Sequence, residues 1–186
     1  MRDRSGVCWR GALAGCALIV FAMAGTGCHS TPEVTSYTNP VSGRRTDMVQ
    51  QNLLDAPGNN REMMWLNAYR HFSDQYHYAY YLEAIYGARQ DVGYLDISAF
   101  RSLTLTIDGQ EMTFNLFGEV TKDEDKGALF ETARYEVTTD VIHRIADAKK
   151  VTVQLKGKRG LISRHFGPEN FEKFQKFVSQ SDDANL

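Results

Sequence analysis

Past position 28 the chain has no cysteine: Cys8, Cys16 and Cys28 are the only three in 186 residues. Disulfides are thereby excluded as staples of whatever folds downstream. Positive charge is not in excess either. The 21 Lys and Arg stand against 23 Asp and Glu, a net charge of −2, whereas a nucleic-acid binder needs a basic face. No apolar run reaches the roughly 20 residues of a membrane-spanning helix, and the longest candidate, 11–28, is interrupted by Gly15, Gly25 and Gly27. His29, His71, His77, His143 and His165 show none of the short spacings of metal sites. The acidic run Asp123-Glu124-Asp125 lacks the alternating order of a calcium loop. Gly157-Lys158-Arg159-Gly160 lacks the Gly-Lys-Ser/Thr ending of a phosphate loop. There is no Gly-x-Ser-x-Gly elbow and no internal repeat. The usual grounds for an enzyme are missing, so no catalytic residue, cofactor or metal is expected.

What the chain does have begins at its first residue. A short basic leader with Arg2, Arg4 and Arg10 precedes the apolar stretch, which ends in Ala24-Gly25-Thr26-Gly27 just before Cys28. That order is the charged region, apolar region and small-residue cleavage site of an export signal. Gly25-Thr26-Gly27-Cys28 resembles the lipobox of bacterial lipoproteins; Gly25 is the one departure, standing where that family has Leu or another aliphatic residue. The resemblance covers residues 1–28 and implies that Cys28 is acylated on its sulfur and becomes the new N-terminus. It further implies, from His29 rather than Asp after the cysteine, a lipid anchor in the outer membrane with the protein facing the periplasm.

Residues 28–60 are polar and carry Pro32, Pro40 and Pro57, so a tether is expected, with short extended pieces at 34–38 and 46–51 around a turn at 39–43. The texture changes at Arg61, and 61–186 is expected to form one domain. Aromatic runs at 63–72 and 76–86 flank Ser73-Asp74-Gln75 as a hairpin. Period-2 alternation at 101–107 and 111–117 on either side of Asp108-Gly109-Gln110 makes a second hairpin. Residues 122–127, KDEDKG, read as a charged loop, 130–138 and 149–157 as strands, and 139–148 as a short helix. Pro168 opens a last helix whose Phe171, Phe174, Phe177 and Val178 form an apolar stripe. The expected fold is α+β, an antiparallel sheet of about six strands with the short helix and the C-terminal amphipathic helix packed on one face.

One feature points toward function, the aromatic density between Trp65 and Tyr86. Alternate strand residues face opposite ways, which puts Tyr78, Tyr80 and Tyr86 on one face and Tyr81 on the other. One set is expected in the core. The other would be an exposed aromatic surface, drawn from Trp65, Tyr69, Tyr78, Tyr80 and Tyr81, suited to an envelope protein or to a glycan such as peptidoglycan. The competing reading is a periplasmic enzyme or metal-binding domain built on His71, Asp74 and His77.

Overall fold

The computed structural model describes residues 34–55, 58, 61–72 and 78–182. The export signal, Cys28, Asp74 and His77 lie outside the described residues. No helix among those described is long and apolar enough to cross a membrane.

The described residues form five antiparallel hairpins, with one helix between the fourth and fifth and another after the last. The first joins β1 (Val34–Thr38) to β2 (Arg45–Val49). Its turn is set by Asn39, whose side-chain oxygen accepts the backbone N–H groups of Val41 at 2.9 Å and Ser42 at 3.1 Å. The second pairs β3 (Glu62–Phe72) with β4 (Tyr78–Arg89) in a register running from Glu62↔Ala88 to Phe72↔Tyr78. In the third, β5 (Leu103–Ile107) turns into β6 (Gln110–Phe114) through Asp108 and Gly109, both at positive φ (47° and 87°). This is the mirror-image turn whose twist suits hairpins. The Asp108 carboxylate also accepts the N–H groups of Lys149 at 3.0 Å and Lys150 at 2.8 Å, which ties this turn to the start of a distant strand.

Strands β7 (Phe117–Asp125) and β8 (Ala128–Val137) form the fourth hairpin, and β9 (Val151–Gly157) and β10 (Gly160–His165) the fifth. Helix α1 (Thr139–Asp147) lies between these two hairpins, and α2 (Pro168–Asp182) follows the last.

The strands divide into two sheets, one of six strands ordered β1-β2-β3-β4-β8-β7 and one of four ordered β10-β9-β5-β6. The antiparallel, sheet-rich character with two helices matches the expectation; the single sheet of about six strands does not. Three physical reasons account for the difference. The charged run 122–127 is mostly the end of β7, not a loop, because an edge strand can keep its charges in water while its backbone pairs on one side only. Residues 34–49, expected as short extended pieces around a turn within the tether, form a hairpin hydrogen-bonded to β3. Strand β10 escaped notice because its inward positions are Ile162 and Arg164, and a buried arginine breaks the apolar alternation.

One buried cluster joins both sheets. The six-stranded sheet contributes Leu66, Leu82, Tyr86 and Tyr135, with Ala68, Ala84 and Ala133 leaving room at its middle. The four-stranded sheet contributes Leu103, Leu105, Val153 and Leu155, and the helices Val141, Ile142, Ile145, Phe174 and Phe177. Burial of such side chains contributes about 1.5–3 kcal/mol each. Of the expected stripe, Phe174 and Phe177 are buried and Phe171 and Val178 pack against them half-buried. Close approach fixes one glycine: a Cβ on Gly157 would stand 2.1 Å from the carbonyl oxygen of Leu95, so only glycine lets the two backbones cross there.

Candidate binding cavity

With its inner face committed to the core, the six-stranded sheet presents its outer face to solvent. Pairing register defines what that face carries. Tyr37, Thr46, His71 and Ala79 stand side by side in one cross-strand row. Met48, Tyr69, Tyr81 and Glu136 form the next, and Asn67, Glu83, Arg134 and Phe117 the third. These three rows border a half-open cavity of about 330 Å³ lined by Tyr37, Thr46, Met48, Tyr69, His71, Tyr81, Phe117 and Arg134. Phe117 sits on an edge strand two strands from Tyr81, roughly 9.6 Å at sheet spacing, yet the ring centroids are 5.2 Å apart, so Phe117 leans inward over the sheet. A register irregularity between Phe117 and Thr121, with Gly118 at φ 79°, is what re-aims that residue.

Beneath the cavity lies a buried carboxylate that is fully occupied. Glu83 accepts the Tyr69 hydroxyl at 2.7 Å, the Asn67 amide at 3.3 Å and the Nε of Arg134 at 2.8 Å. Asn67 is in turn held through the backbone N–H of Asn52 at 3.2 Å, and Asn52 accepts the side-chain amide of Asn170 at 2.8 Å. A chain of buried amides thus runs from the start of α2 to the floor of the cavity and fixes Glu83 in place. Arg134 turns its guanidinium over the Tyr69 ring, 5.7 Å to the centroid, while its side chain stays 59% exposed. The cationic end of the ion pair therefore faces the cavity and the anionic end is sealed below.

These contacts set the acid–base character. Burial, followed by the hydrogen bond to Glu83 and its charge, pushes the Tyr69 hydroxyl up to about 12. It cannot serve as a base or nucleophile near neutrality. Burial, and then the charge of Arg134, lowers the pKa of His71 and so favours its neutral imidazole. One ring nitrogen, Nδ1, is 2.8 Å from the hydroxyl of Thr46. His71 also meets Tyr81 edge-on, ring centroids 5.5 Å apart, which continues the aromatic wall from Phe117 through Tyr81.

The residues singled out from sequence separate cleanly. Trp65, Tyr69 and Tyr81 lie on the outer face; Tyr69 and Tyr81 line the cavity, and Trp65 lies further along, tilted toward Phe130 at 6.3 Å across Gly87. Tyr78 and Tyr80 belong to the inner face. Tyr80 is 7% exposed and Tyr78 is half-buried, stacked 4.9 Å from the guanidinium carbon of Arg70. Tyr86 shares that face at 1% exposure, its hydroxyl donating to Glu62 at 2.9 Å. Sequence reasoning missed Tyr37, Thr46, Met48, Phe117 and Arg134. The first three fell in the stretch expected to be tether. Phe117 and Arg134 are single residues on their own strands, and only register brings them to Tyr69. The outward alternation of Thr132, Arg134 and Glu136 on β8 was the one available signal for Arg134.

Of the histidine and acidic set in the competing reading, His71 alone is among the described residues, and those residues contain no group of three or more His, Cys, Asp or Glu able to hold a metal. Set against known proteins, the chain matches no protein-family model, no curated protein and no solved structure.

Proposed function

We propose that this chain is a lipid-anchored lipoprotein of the cell envelope, attached through Cys28 to the outer membrane and facing the periplasm, where it works as a non-catalytic binding module. The anchor reading rests on the leader, the small-residue cleavage site and the resemblance of residues 25–28 to a lipobox. Two or more acyl chains, each CH₂ contributing about 0.8 kcal/mol, make such attachment stable. The binding reading rests on the aromatic cavity of the outer face. Its rings offer large, rigid contact area, while its polar groups are tied to structural partners in a way that suits holding a ligand and leaves no poised base. The partner class is a glycan such as peptidoglycan or another envelope protein.

Two experiments test this. Cys28→Ser should release the protein from the membrane fraction or block its maturation; unchanged fractionation removes the anchor. Cosedimentation of the full chain with purified sacculi, alongside crosslinking in intact cells, should report binding that Tyr81→Ala and Phe117→Ala abolish. Binding unaffected by both substitutions places the contact elsewhere.

A further inference from the structure

The chemistry of the cavity narrows what it can hold, given the binding reading above. Among the described residues no acidic side chain lines it, although the chain as a whole is acidic. Glu136, next in Tyr81's row, is not among the lining residues, and Glu83 is sealed beneath three donors. Among the described residues the one charge at the wall is the guanidinium of Arg134. Its Nε is engaged by Glu83, which leaves the two terminal nitrogens as a planar pair of donors, the arrangement that grips a carboxylate.

The rest of the wall is aromatic faces with polar edges. Tyr69, Tyr81 and Phe117 supply flat rings, and the hydroxyls of Tyr37 and Thr46 with the His71 imidazole supply donors and acceptors around them. Thr46 and His71 already hold each other at 2.8 Å, and a hydroxylated ring can meet their remaining hydrogen-bonding capacity and that of the Tyr37 hydroxyl, which an aryl body cannot. The volume, about 330 Å³, stands at the small end of the roughly 300–1,000 Å³ range of small-molecule sites, enough for one ring and its substituents.

We propose that the cavity holds a six-membered sugar ring bearing a carboxylate, with the ring against Tyr81 and Phe117 and the carboxylate on the terminal nitrogens of Arg134. The imidazole of His71 and the hydroxyl of Thr46 take hydroxyl or amide substituents at the opposite side.

The test uses the full chain in detergent micelles, titrated calorimetrically with three probes: N-acetylmuramic acid, N-acetylglucosamine, which has the same ring without the carboxylate, and phenylacetate, which has a carboxylate without a sugar. The sugar acid should bind at least about tenfold tighter than either, the factor that one charge-assisted contact supplies. Arg134→Met should erase the preference over N-acetylglucosamine and Arg134→Lys should keep part of it. Equal affinity for the two sugars, or phenylacetate binding as tightly as the sugar acid, overturns the proposal. Should Arg134→Met fail to fold, Phe117→Ala decides the matter. That ring is half exposed on an edge strand, and its loss must weaken the sugar acid several-fold or the site is elsewhere. Sacculus or protein binding that persists with no response to any probe overturns the sugar-acid inference and leaves the binding reading standing. Absence of sacculus binding, of crosslinked partners and of any probe binding overturns both.

Discussion

Replacing Asp47 by Ala should be among the most damaging single changes in the protein, and its size can be worked from the contacts. Asp47 is 2% exposed and Arg70 1%. Oδ2 of Asp47 accepts both Nε of Arg70, at 3.0 Å, and its Nη2, while Oδ1 accepts the Ser36 hydroxyl at 2.6 Å and the Nε of Arg45 at 2.7 Å. The guanidinium of Arg70 is sandwiched between Tyr78, 4.9 Å to the ring centroid, and Phe177 of α2 at 5.5 Å. Its Nη1 already has no partner among the described residues. Removing the carboxylate strands a fully buried cation, which costs about 3–5 kcal/mol. With a urea slope of about 2 kcal/mol per M, the unfolding midpoint should fall by roughly 1.5–2.5 M. Replacing both partners, as Asp47→Leu with Arg70→Met, should recover most of that loss, because an apolar pair leaves no buried charge. Urea melts followed by far-ultraviolet circular dichroism provide the measurement. A fall of less than about 0.5 M for Asp47→Ala, or a double variant as unstable as the single one, would refute the idea that this pair pins the β1–β2 hairpin to the sheet. The same variant should lose ligand binding, since that hairpin carries Tyr37, Thr46 and Met48 of the cavity wall. Acid should act on the same contact. Burial alone would raise the Asp47 pKa, but the hydrogen bonds from Ser36, Arg70 and Arg45 outweigh it and hold the carboxyl below its ordinary 3.8. Its stabilisation is therefore complete above that ordinary value and is lost as pH falls through the lowered one.

Tyr80→Ala should cost about 3–5 kcal/mol in thermal or urea melts and Tyr81→Ala about 1 kcal/mol or less, while only the second abolishes binding by a folded protein; equal losses would mean that both faces are core. Gly157→Ala should destabilise by 2 kcal/mol or more, on the order of a serious steric conflict, because its Cβ meets the Leu95 carbonyl at 2.1 Å; a neutral melt would show that the crossing relaxes freely. Tyr69 is raised to about 12 by burial and then by Glu83, and Tyr135 to about 12 by burial. Their contribution to stability is complete below the ordinary tyrosine value near 10 and is lost as pH rises through the raised values, so alkaline unfolding should accompany a late step in the tyrosinate absorbance. Full ionisation of all tyrosines near pH 10 without unfolding would contradict it.

Local pattern determined the pieces of this protein. Alternation around Asp108-Gly109 specified the β5–β6 hairpin because two residues at positive φ reverse a strand in place, and the phenylalanine spacing after Pro168 specified the buried face of α2. The leader and residues 25–28 likewise suffice to propose an exported, lipidated chain. The period of two also separated Tyr80 from Tyr81 without any structure, since adjacent strand residues face opposite ways. It could not say which of the two faces was dry. That was decided by what packs on the sheet: the buried cluster shared with the four-stranded sheet and the helices lies on the side with Tyr80, while Tyr81 on the other side stays half-exposed. The edges were equally out of reach. Residues 122–127 read as a charged loop, and 34–38 and 46–51 as short extended pieces within a tether, because an edge strand needs only half its backbone paired and its sequence need not be apolar. The cavity follows from both decisions. Its eight residues come from six strands separated by up to about a hundred positions in the chain, and only the register of β2 on β3, β3 on β4, β4 on β8 and β8 on β7 sets Met48, Tyr69, Glu83, Arg134 and Phe117 beside one another. Register is fixed by the sum of all cross-strand contacts and the burial of one whole face, a property that no stretch of sequence carries alone.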